Sequence, residues 1–304
     1  MTKQQWAKDL AKSINPANIK LDESLQQYTM TKLGGKADVF VLPDTEEEAA
    51  FVIRYAYINN IPLLMLGNGS NMVVRDGGHR GIVVTFSNLD EIRINGEHVY
   101  AQSGALIKDV SKLSAKASLT GFEFACGIPG SIGGAMAMNA GAYGGEIKDI
   151  IISSKVLTKE GEILTLSKDE LELGYRKSVI AKKGYYVLSS EFQLASGEQG
   201  EIDAKIADLT FQRESKQPLE YPSAGSVFKR PPGHFAGKLI QDSGLQGKGV
   251  GGAEVSTKHA GFIVNKGNAT ASDYIATIQM VQRIVKEKFG IELETEVKIV
   301  GDDL

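Results

Sequence analysis

The chain has 304 residues, with 34 Lys plus Arg against 37 Asp plus Glu, 42% hydrophobic residues, 34 Gly and a single Cys. That length holds two or three domains of ordinary size, and a net charge of -3 with a sequence pI of about 5.9 excludes the basic footprint that nucleic acid or an acidic membrane surface calls for. With Cys126 alone there is no internal disulfide and no Cys-based zinc site, and the 4 His show no ligand spacing, so no metal is expected and a reducing cytoplasm fits. The opening MTKQQWAKDLAKSINP lacks the apolar core of a signal peptide, so export is not expected. Phe124 to Gly145 runs 22 residues without a charge, yet seven are Gly and one is Pro. A spanning helix needs about 20 mostly large apolar residues, so a soluble protein is expected.

In chain order, a polar helical N-terminal segment precedes an alternating strand over Ala37–Leu42 that Pro43 stops. Thr45 and Glu48 form a capping box for an amphipathic helix to about Asn59, and an apolar strand follows over Pro62–Leu66. Met72–Arg75 reads as a strand, Glu91–Gln102 as a hairpin around Asn95-Gly96, and Ala105–Ser118 as a helix. Beyond the glycine-rich stretch, Ile151–Leu157 and Glu162–Leu166 form a hairpin through Glu160-Gly161. Ser167 and Glu170 then cap a short helix, and Tyr185–Leu194 is a long strand. A helix over Gln199–Phe211 leads into Arg213-Glu-Ser-Lys-Gln-Pro218, whose polar residues and proline mark a domain boundary. Beyond it come a helix over Gly237–Ser243, a strand over Ala260–Asn265 and a helix over Ala271–Phe289 capped by Thr270 and Asp273. That helix lines Tyr274, Ile278, Val281 and Val285 along one face; Gly290 ends it, and Ile291–Val300 alternates as a strand. The content is α+β.

Glycine makes up about 11% of the chain against a usual ~7%, and it concentrates in two loops. Gly67-Asn68-Gly69-Ser70-Asn71 follows a buried strand, where consecutive N–H groups can cradle a pyrophosphate without a lysine. It also reads as an ordinary turn, and the strand after it departs from a Rossmann fingerprint, which requires a helix there. The second loop holds Gly127, Ile128, Pro129, Gly130, Ser131, Gly133, Gly134 and Ala135, then Asn139, Gly141 and Ala142. Such density costs backbone entropy and is explained by a ligand lying against the main chain, or by a close helix crossing. Two lysine-free glycine loops about sixty residues apart point to one large ligand spread between them, and a flavin dinucleotide has that size and shape.

Leu66-Gly-Asn-Gly-Ser-Asn71, Gly127-Ile-Pro-Gly-Ser-Ile-Gly-Gly134 with Asn139-Ala-Gly-Ala142, Gly174-Tyr-Arg-Lys-Ser178, Ala224-Gly-Ser-Val-Phe-Lys229 and Leu293-Glu-Thr-Glu-Val297 occur in that order. Together they resemble the UDP-N-acetylenolpyruvoylglucosamine reductase family, over nearly the whole chain from about Thr31 to Gly301. The resemblance implies an N-terminal segment over residues 1–30, then a two-lobed FAD-binding domain of the vanillyl-alcohol-oxidase (PCMH) type over residues 31–197, with lobes over about 31–86 and 87–197. An α+β substrate-binding domain over residues 198–304 completes it. The short segment between Tyr185 and Arg213 resembles the subclass without the extra tyrosine-bearing loop.

The resemblance also implies noncovalent FAD, NADPH as hydride donor, a nucleotide-sugar substrate, a place in peptidoglycan precursor synthesis, and a monomer. In the chemistry that the resemblance implies, FAD would supply a hydride to the enolpyruvyl carbon β to the carboxylate, charge would develop on that carboxylate, and a proton would have to reach the α carbon. Arg176 matches the family's catalytic arginine, Ser226 its proton donor and Glu296 the glutamate of the last motif. The alternating pattern alone cannot choose between Glu294 and Glu296; three carboxylates on one strand face repel one another unless a cation faces them. Lys216, by the same resemblance, and Lys229, a candidate neighbour for the Ser226 hydroxyl, are substrate-site residues; His259, just before its strand, lines the substrate site or is a satisfied residue at the strand end. No Gly-x-Ser-x-Gly surrounds Ser226, which argues against an acyl-transfer nucleophile. The run Arg75-Asp-Gly-Gly-His79 resembles the Gly-Gly-His through which some flavin proteins attach FAD covalently. An FAD-dependent alcohol oxidase of the same fold and a flavin-binding module without chemistry are the competing readings.

Overall fold

The structure, a computed structural model, describes residues 1–303. It divides into two compact units, each assembled from three stretches of chain: Met1–Asp22, Asp38–Asn68 and Gly81–Arg213 in the first, and Glu23–Ala37, Gly69–Arg80 and Glu214–Leu304 in the second. No helix among the described residues is long and apolar enough to cross a membrane.

One sheet of the first unit orders its strands Ile19–Ser24, Lys36–Val41, His79–Val84 and Leu63–Met65, with Leu63–Met65 parallel to Ile82–Val84. Alternation on Lys36–Val41 turns Val39 and Val41 into a core that the helix Glu46–Ile58 covers with Ala49, Val52, Ile53 and Ala56. Thr45 caps that helix as expected, accepting from the Glu48 N–H at 3.1 Å. Its reciprocal bond lands one residue early: the Glu48 carboxylate accepts from the Asp44 N–H at 2.7 Å. A second sheet is antiparallel in the order Ile163–Ser167, Ile151–Leu157, Tyr186–Gln193, His98–Gln102, Ile92–Asn95. Its expected hairpins turn at Gly96 and Gly161, whose φ values of 57° and 83° are cheap only for glycine. Phe122 and Phe192, edge to face at 5.1 Å, lie in its core beside Ile107, Ile132 and Met136.

Two expectations fail here. The Glu170 carboxylate does accept from the Ser167 N–H and Oγ at 2.9 and 2.7 Å, but the chain leaves the helical path at once, with Glu172 at φ 46°. The short helix is instead Val179–Lys183, capped by Ser178 and stopped by Gly184 in the left-handed region. The helix expected over Gln199–Phe211 runs on to Lys216, so the polar run Arg213-Glu-Ser-Lys216 is its last turn, and the division between the two units falls within that run, after Arg213. Its residues are good helix formers, and Pro218 ends the helix only by restricting the residue before it.

In the second unit an antiparallel sheet runs in the order Ser223–Ser226, Phe262–Asn265, Ala253–Val255, Gly249–Val250. The helix Ala271–Phe289 covers it with Tyr274, Ile278, Val281 and Val285, all at most 1% exposed. Both of its ends are as expected: the Thr270–Asp273 box is closed, and Gly290 stops it at φ 70°. The final strand is shorter than alternation predicts. Only Lys298–Val300 forms a ladder, parallel to Met72–Val74, while residues 291–297 form a single bridge, Phe228 to Thr295.

Asp76 adds a second cap to the long helix. Its carboxylate accepts from the N–H groups of Ala271 and Ser272 at 2.8 and 2.9 Å and from the Ser272 hydroxyl at 2.6 Å. Burial alone would raise the Asp76 pKa, but these bonds outweigh it and hold the carboxyl below its ordinary value. Its stabilisation is therefore complete above the unfolded-state value near 4 and fades as pH falls through the lower folded value. Asp76→Ala should cost about 1–2 kcal/mol in urea melts at neutral pH, and the difference from the parent should shrink on acidification. A deficit that stayed constant with pH would deny the carboxylate this role.

Candidate active site

In the first unit the two glycine loops meet. The Asn68 side-chain amide donates to the Pro129 carbonyl, and a Cβ at Gly67 would touch only the Ser131 Oγ, at 3.2 Å. Ser131 begins the helix Ile132–Met138 without a side-chain cap bond. Two N–H groups of its first turn are committed within the protein, Ile132 to the Ala105 carbonyl and Gly133 to the Ser103 carbonyl, each at 2.9 Å.

The glycines divide by what surrounds them. A Cβ at Gly133 would collide with the Ser103 side chain, one at Gly141 would press on Glu146, and one at Gly127 would strike the Arg213 Cδ. Gly134 is exposed, and a Cβ there would meet nothing nearer than the Ser131 Oγ at 3.9 Å. Gly130 is held by its carbonyl, which accepts from Ile107 at 3.0 Å, and Ala135 and Ile128 pack on the hydrophobic core. Gly141 and Ala142 form one arm of a tight hairpin with Gly145 and Glu146.

Asn139 sits at the other end of the same short helix, fully buried and left-handed at φ 46°. Its amide donates to Glu146 at 2.7 Å and to the Gly174 carbonyl at 3.1 Å, and its oxygen accepts from the Lys148 N–H at 2.9 Å. Gly174 opens a tight turn closed by paired backbone bonds with Lys177. Within that turn Arg176 has φ 55°, a costly state for a residue with a Cβ and one that collects at functional sites. The Ser178 hydroxyl fastens the far side of the turn to the Ala137 carbonyl at 2.6 Å. One short helix thus carries the glycine loops at its start and the Arg176 turn at its end.

The division between the units falls inside the first glycine loop, after Asn68. Gly69, at φ 58°, lies so close to the Tyr28 carbonyl that a Cβ would collide with it, and its own carbonyl accepts from Met30 at 3.1 Å. Ser70 is half-buried. Asn71 holds the C-terminal segment: its amide donates to the Glu296 carbonyl at 3.2 Å, and its own carbonyl accepts from Lys298 at 3.1 Å. The Glu296 N–H in turn donates to the Val227 carbonyl at 2.8 Å. Ser226, exposed at the end of its strand, and half-buried Glu296 therefore stand on paired segments. Glu294, two residues back, is exposed and paired with Lys229. Glu292 is paired with Lys286 at 2.5 Å, so these lysines supply the cations that three aligned carboxylates require.

Arg213, which the sequence shows only as part of a polar boundary run, has a partner of its own. It is half-buried against Gly127 in the first unit, and burial pulls its guanidinium below the ordinary value. Nothing local in the sequence marks it, because the contact spans more than eighty residues of chain. Lys216 is exposed in the last turn of its helix. His259 is half-buried, with Nδ1 accepting from the Gly261 N–H at 3.1 Å, and burial lowers its pKa. The glycines of Arg75-Asp-Gly-Gly-His79 have a different explanation from a flavin link. Cβ atoms at Gly77 and Gly78 would collide with the backbone of Asp303 and Lys36. Among the described residues no group of three or more His, Cys, Asp or Glu is placed to hold a metal ion. A depression of about 400 Å³ lined by Arg93, His98, Tyr100 and Glu191 contains none of the nominated residues.

Residues 37–167 match the family described as FAD binding domain, and residues 217–300 the family described as UDP-N-acetylenolpyruvoylglucosamine reductase, C-terminal domain. The chain is 61% identical over 286 residues to a UDP-N-acetylenolpyruvoylglucosamine reductase of Geobacillus thermodenitrificans, covering 94% of each. To that of Exiguobacterium sibiricum it is 57% identical over 303 residues, covering 100% of each. The crystal structure of the Thermus caldophilus reductase superposes with a TM-score of 0.79 at 33% identity, covering 92% of this chain and 97% of that one. A glucose dehydrogenase, Phl p 4.0202, shares the fold alone, at TM-score 0.52 and 14% identity over 64% of this chain and 44% of its own. The expected α+β class, with an FAD-binding domain ahead of a substrate domain, holds. The chain belongs to the UDP-N-acetylenolpyruvoylglucosamine reductase family.

Proposed function

We propose that this chain reduces the enolpyruvyl ether of UDP-N-acetylglucosamine to UDP-N-acetylmuramate, a peptidoglycan precursor, using noncovalent FAD and NADPH. The observation that carries the reading is the pairing of the Ser226 strand with the Glu296 segment, which joins two motifs seventy residues apart in a single proton-handling element. The fold-level likeness to a glucose dehydrogenase gives the oxidase reading no comparable support. We place the reaction in the cytoplasm, performed by a monomer.

The residues present fit FAD. Open space over Gly134, the uncapped Ser131 and the meeting of the two loops at Gly67 form a cradle that side chains would fill. Bound there, FAD would supply the hydride for the carbon β to the substrate carboxylate. Arg176, preset in its strained turn, offers forked donors to that carboxylate as charge develops on it. In this reading Ser226 gives its proton to the α carbon, and the half-buried Glu296, its backbone fixed on both sides, serves the same step. The Lys229–Glu294 pair stands beside them and keeps the second carboxylate neutralised. Lys216 is assigned to the substrate side.

The protein should purify yellow and release its colour into the supernatant on acid precipitation; colour retained in the pellet would revive a covalent link at His79. Gly134→Ala should fold at least as stably as the parent, since Ala favours a helix by up to ~1 kcal/mol over Gly, yet bind FAD more weakly in fluorescence titration. Undiminished affinity would remove Gly134 from the cradle.

Arg176→Ala should lose about 3 kcal/mol or more of transition-state stabilisation, roughly 100-fold in turnover, with flavin reduction by NADPH much less affected. Ser226→Ala should keep that reduction near the parent rate and fail to complete turnover; a fall of less than about tenfold would mean that Ser226 is not the acid. Equal losses for Glu296→Gln and Glu294→Gln would take away the choice of Glu296.

A further inference from the structure

We propose that His259 is a positioning residue for Ser226, acting through the backbone of Gly261 rather than on the substrate. The inference rests on the reading that Ser226 delivers the proton. Ser226 ends a short strand, and the ladder before it is irregular: Ser223 stands opposite Val264 and Ser226 opposite Phe262, three steps on one strand against two on the other. Gly225, at φ 72°, takes up the extra residue. A bulge loosens the hold on the residue that follows, so the placement of Ser226 falls to the next rung. That rung is the Val227 N–H donating to the Gly261 carbonyl at 2.9 Å.

Gly261 is itself held by the imidazole. Its N–H donates to His259 Nδ1 at 3.1 Å, and a Cβ at Gly261 would come within 3.0 Å of the ring. The ring stands edge to face with Phe262 at 4.8 Å. The rest of the turn closes around the same residue. The N–H groups of Lys258 and His259 donate to the Ser256 Oγ at 3.1 and 3.2 Å, and the Phe262 N–H donates to the His259 carbonyl at 3.0 Å. Since Nδ1 accepts a hydrogen bond, its lone pair is committed inside the protein and the ring proton of the neutral imidazole is on Nε2. The imidazole thus sets Gly261, Gly261 sets Val227, and Val227 fixes both Ser226 and, through its carbonyl, Glu296.

A side-chain acceptor bonding the N–H two residues ahead is what asparagine supplies in an Asx-turn. His259→Asn therefore keeps the turn while removing the imidazole, and His259→Ala removes both. Stopped flow would follow flavin reduction by NADPH and its reoxidation by the enolpyruvyl substrate in the parent and both variants, with thermal melting as the check on folding. In His259→Ala, reoxidation should slow by about tenfold or more, with KM and the reductive half-reaction near parent values. His259→Asn should stay within about threefold of the parent in both half-reactions. An Asn variant as impaired as the Ala variant, or a raised KM in both, would assign the imidazole to the substrate and overturn the inference, as would a parent-like Ala variant. Should His259→Ala fail to fold, the Asn variant decides alone by the same threshold. A parent that is not reoxidised by this substrate removes the proposed function and the inference with it; a competent parent with any of the preceding outcomes removes the inference alone.

Discussion

The bond from the Glu296 N–H to the Val227 carbonyl is short, 2.8 Å, and lies within the backbone, so no side-chain rotation can undo it. Around it the Lys229 N–H donates to the Glu294 carbonyl at 2.9 Å, and Phe228 bridges Thr295. Two stretches of chain that share no local sequence signal become neighbours through backbone groups alone. The proton donor and carboxylate proposed on these segments, Ser226 and Glu296, need no flexible linker to bring their backbones together. The entropy of assembling them is spent when the unit folds and its core closes on Val227, Leu293 and Val297.

Glycine enrichment looks at first like a single signal, yet it has two physical causes. Gly69, Gly77, Gly78 and Gly133 are glycine because backbone or side-chain atoms of the protein occupy the place of a Cβ. Gly134 is glycine with open space in front of it, and Gly67 nearly so. Only the second kind points to a ligand, and the sequence shows both kinds as the same letter. The motif Gly-Ile-Pro-Gly-Ser-Ile-Gly-Gly is therefore partly a packing motif: its first glycine admits Arg213, its third admits Ser103, and its last faces outward.

This is also why the sequence was legible to different depths. The helix Ala271–Phe289 could be read end to end, because its cap, apolar stripe and terminal glycine are all local. The Gly96 and Gly161 hairpins were legible for the same reason. The helix ending at Lys216 was read short because polar residues look alike in a last helical turn and in a linker. The strand Ile291–Val300 was read long because alternation records burial of Leu293 and Val297, not a ladder partner, and the partner exists only from Lys298 onward. In the site, residue types were visible and their partners were not. Asn139 and Asn71 stand out by their motifs, while their bonds to Gly174 and Glu146, and to the Glu296 carbonyl, leave no mark in the sequence.

The carboxylates at 292, 294 and 296 show how far partners decide function once residue types are given. Alternation makes the three equivalent, since all project from the face opposite Leu293 and Val297. Lys286 takes Glu292 and Lys229 takes Glu294, both pairs near the surface, where an ion pair is worth little and is easily exchanged with water. Glu296 differs in burial and in backbone: it is half-buried, and its peptide groups are held by Val227 on one side and Asn71 on the other. A carboxylate that must keep a fixed position during a reaction gains from a rigid backbone more than from a strong ion pair, because an ion pair lowers the free energy of the resting state as well. The asymmetry within one short segment is thus set by its neighbours, and it singles out the glutamate whose main chain is bound on both sides.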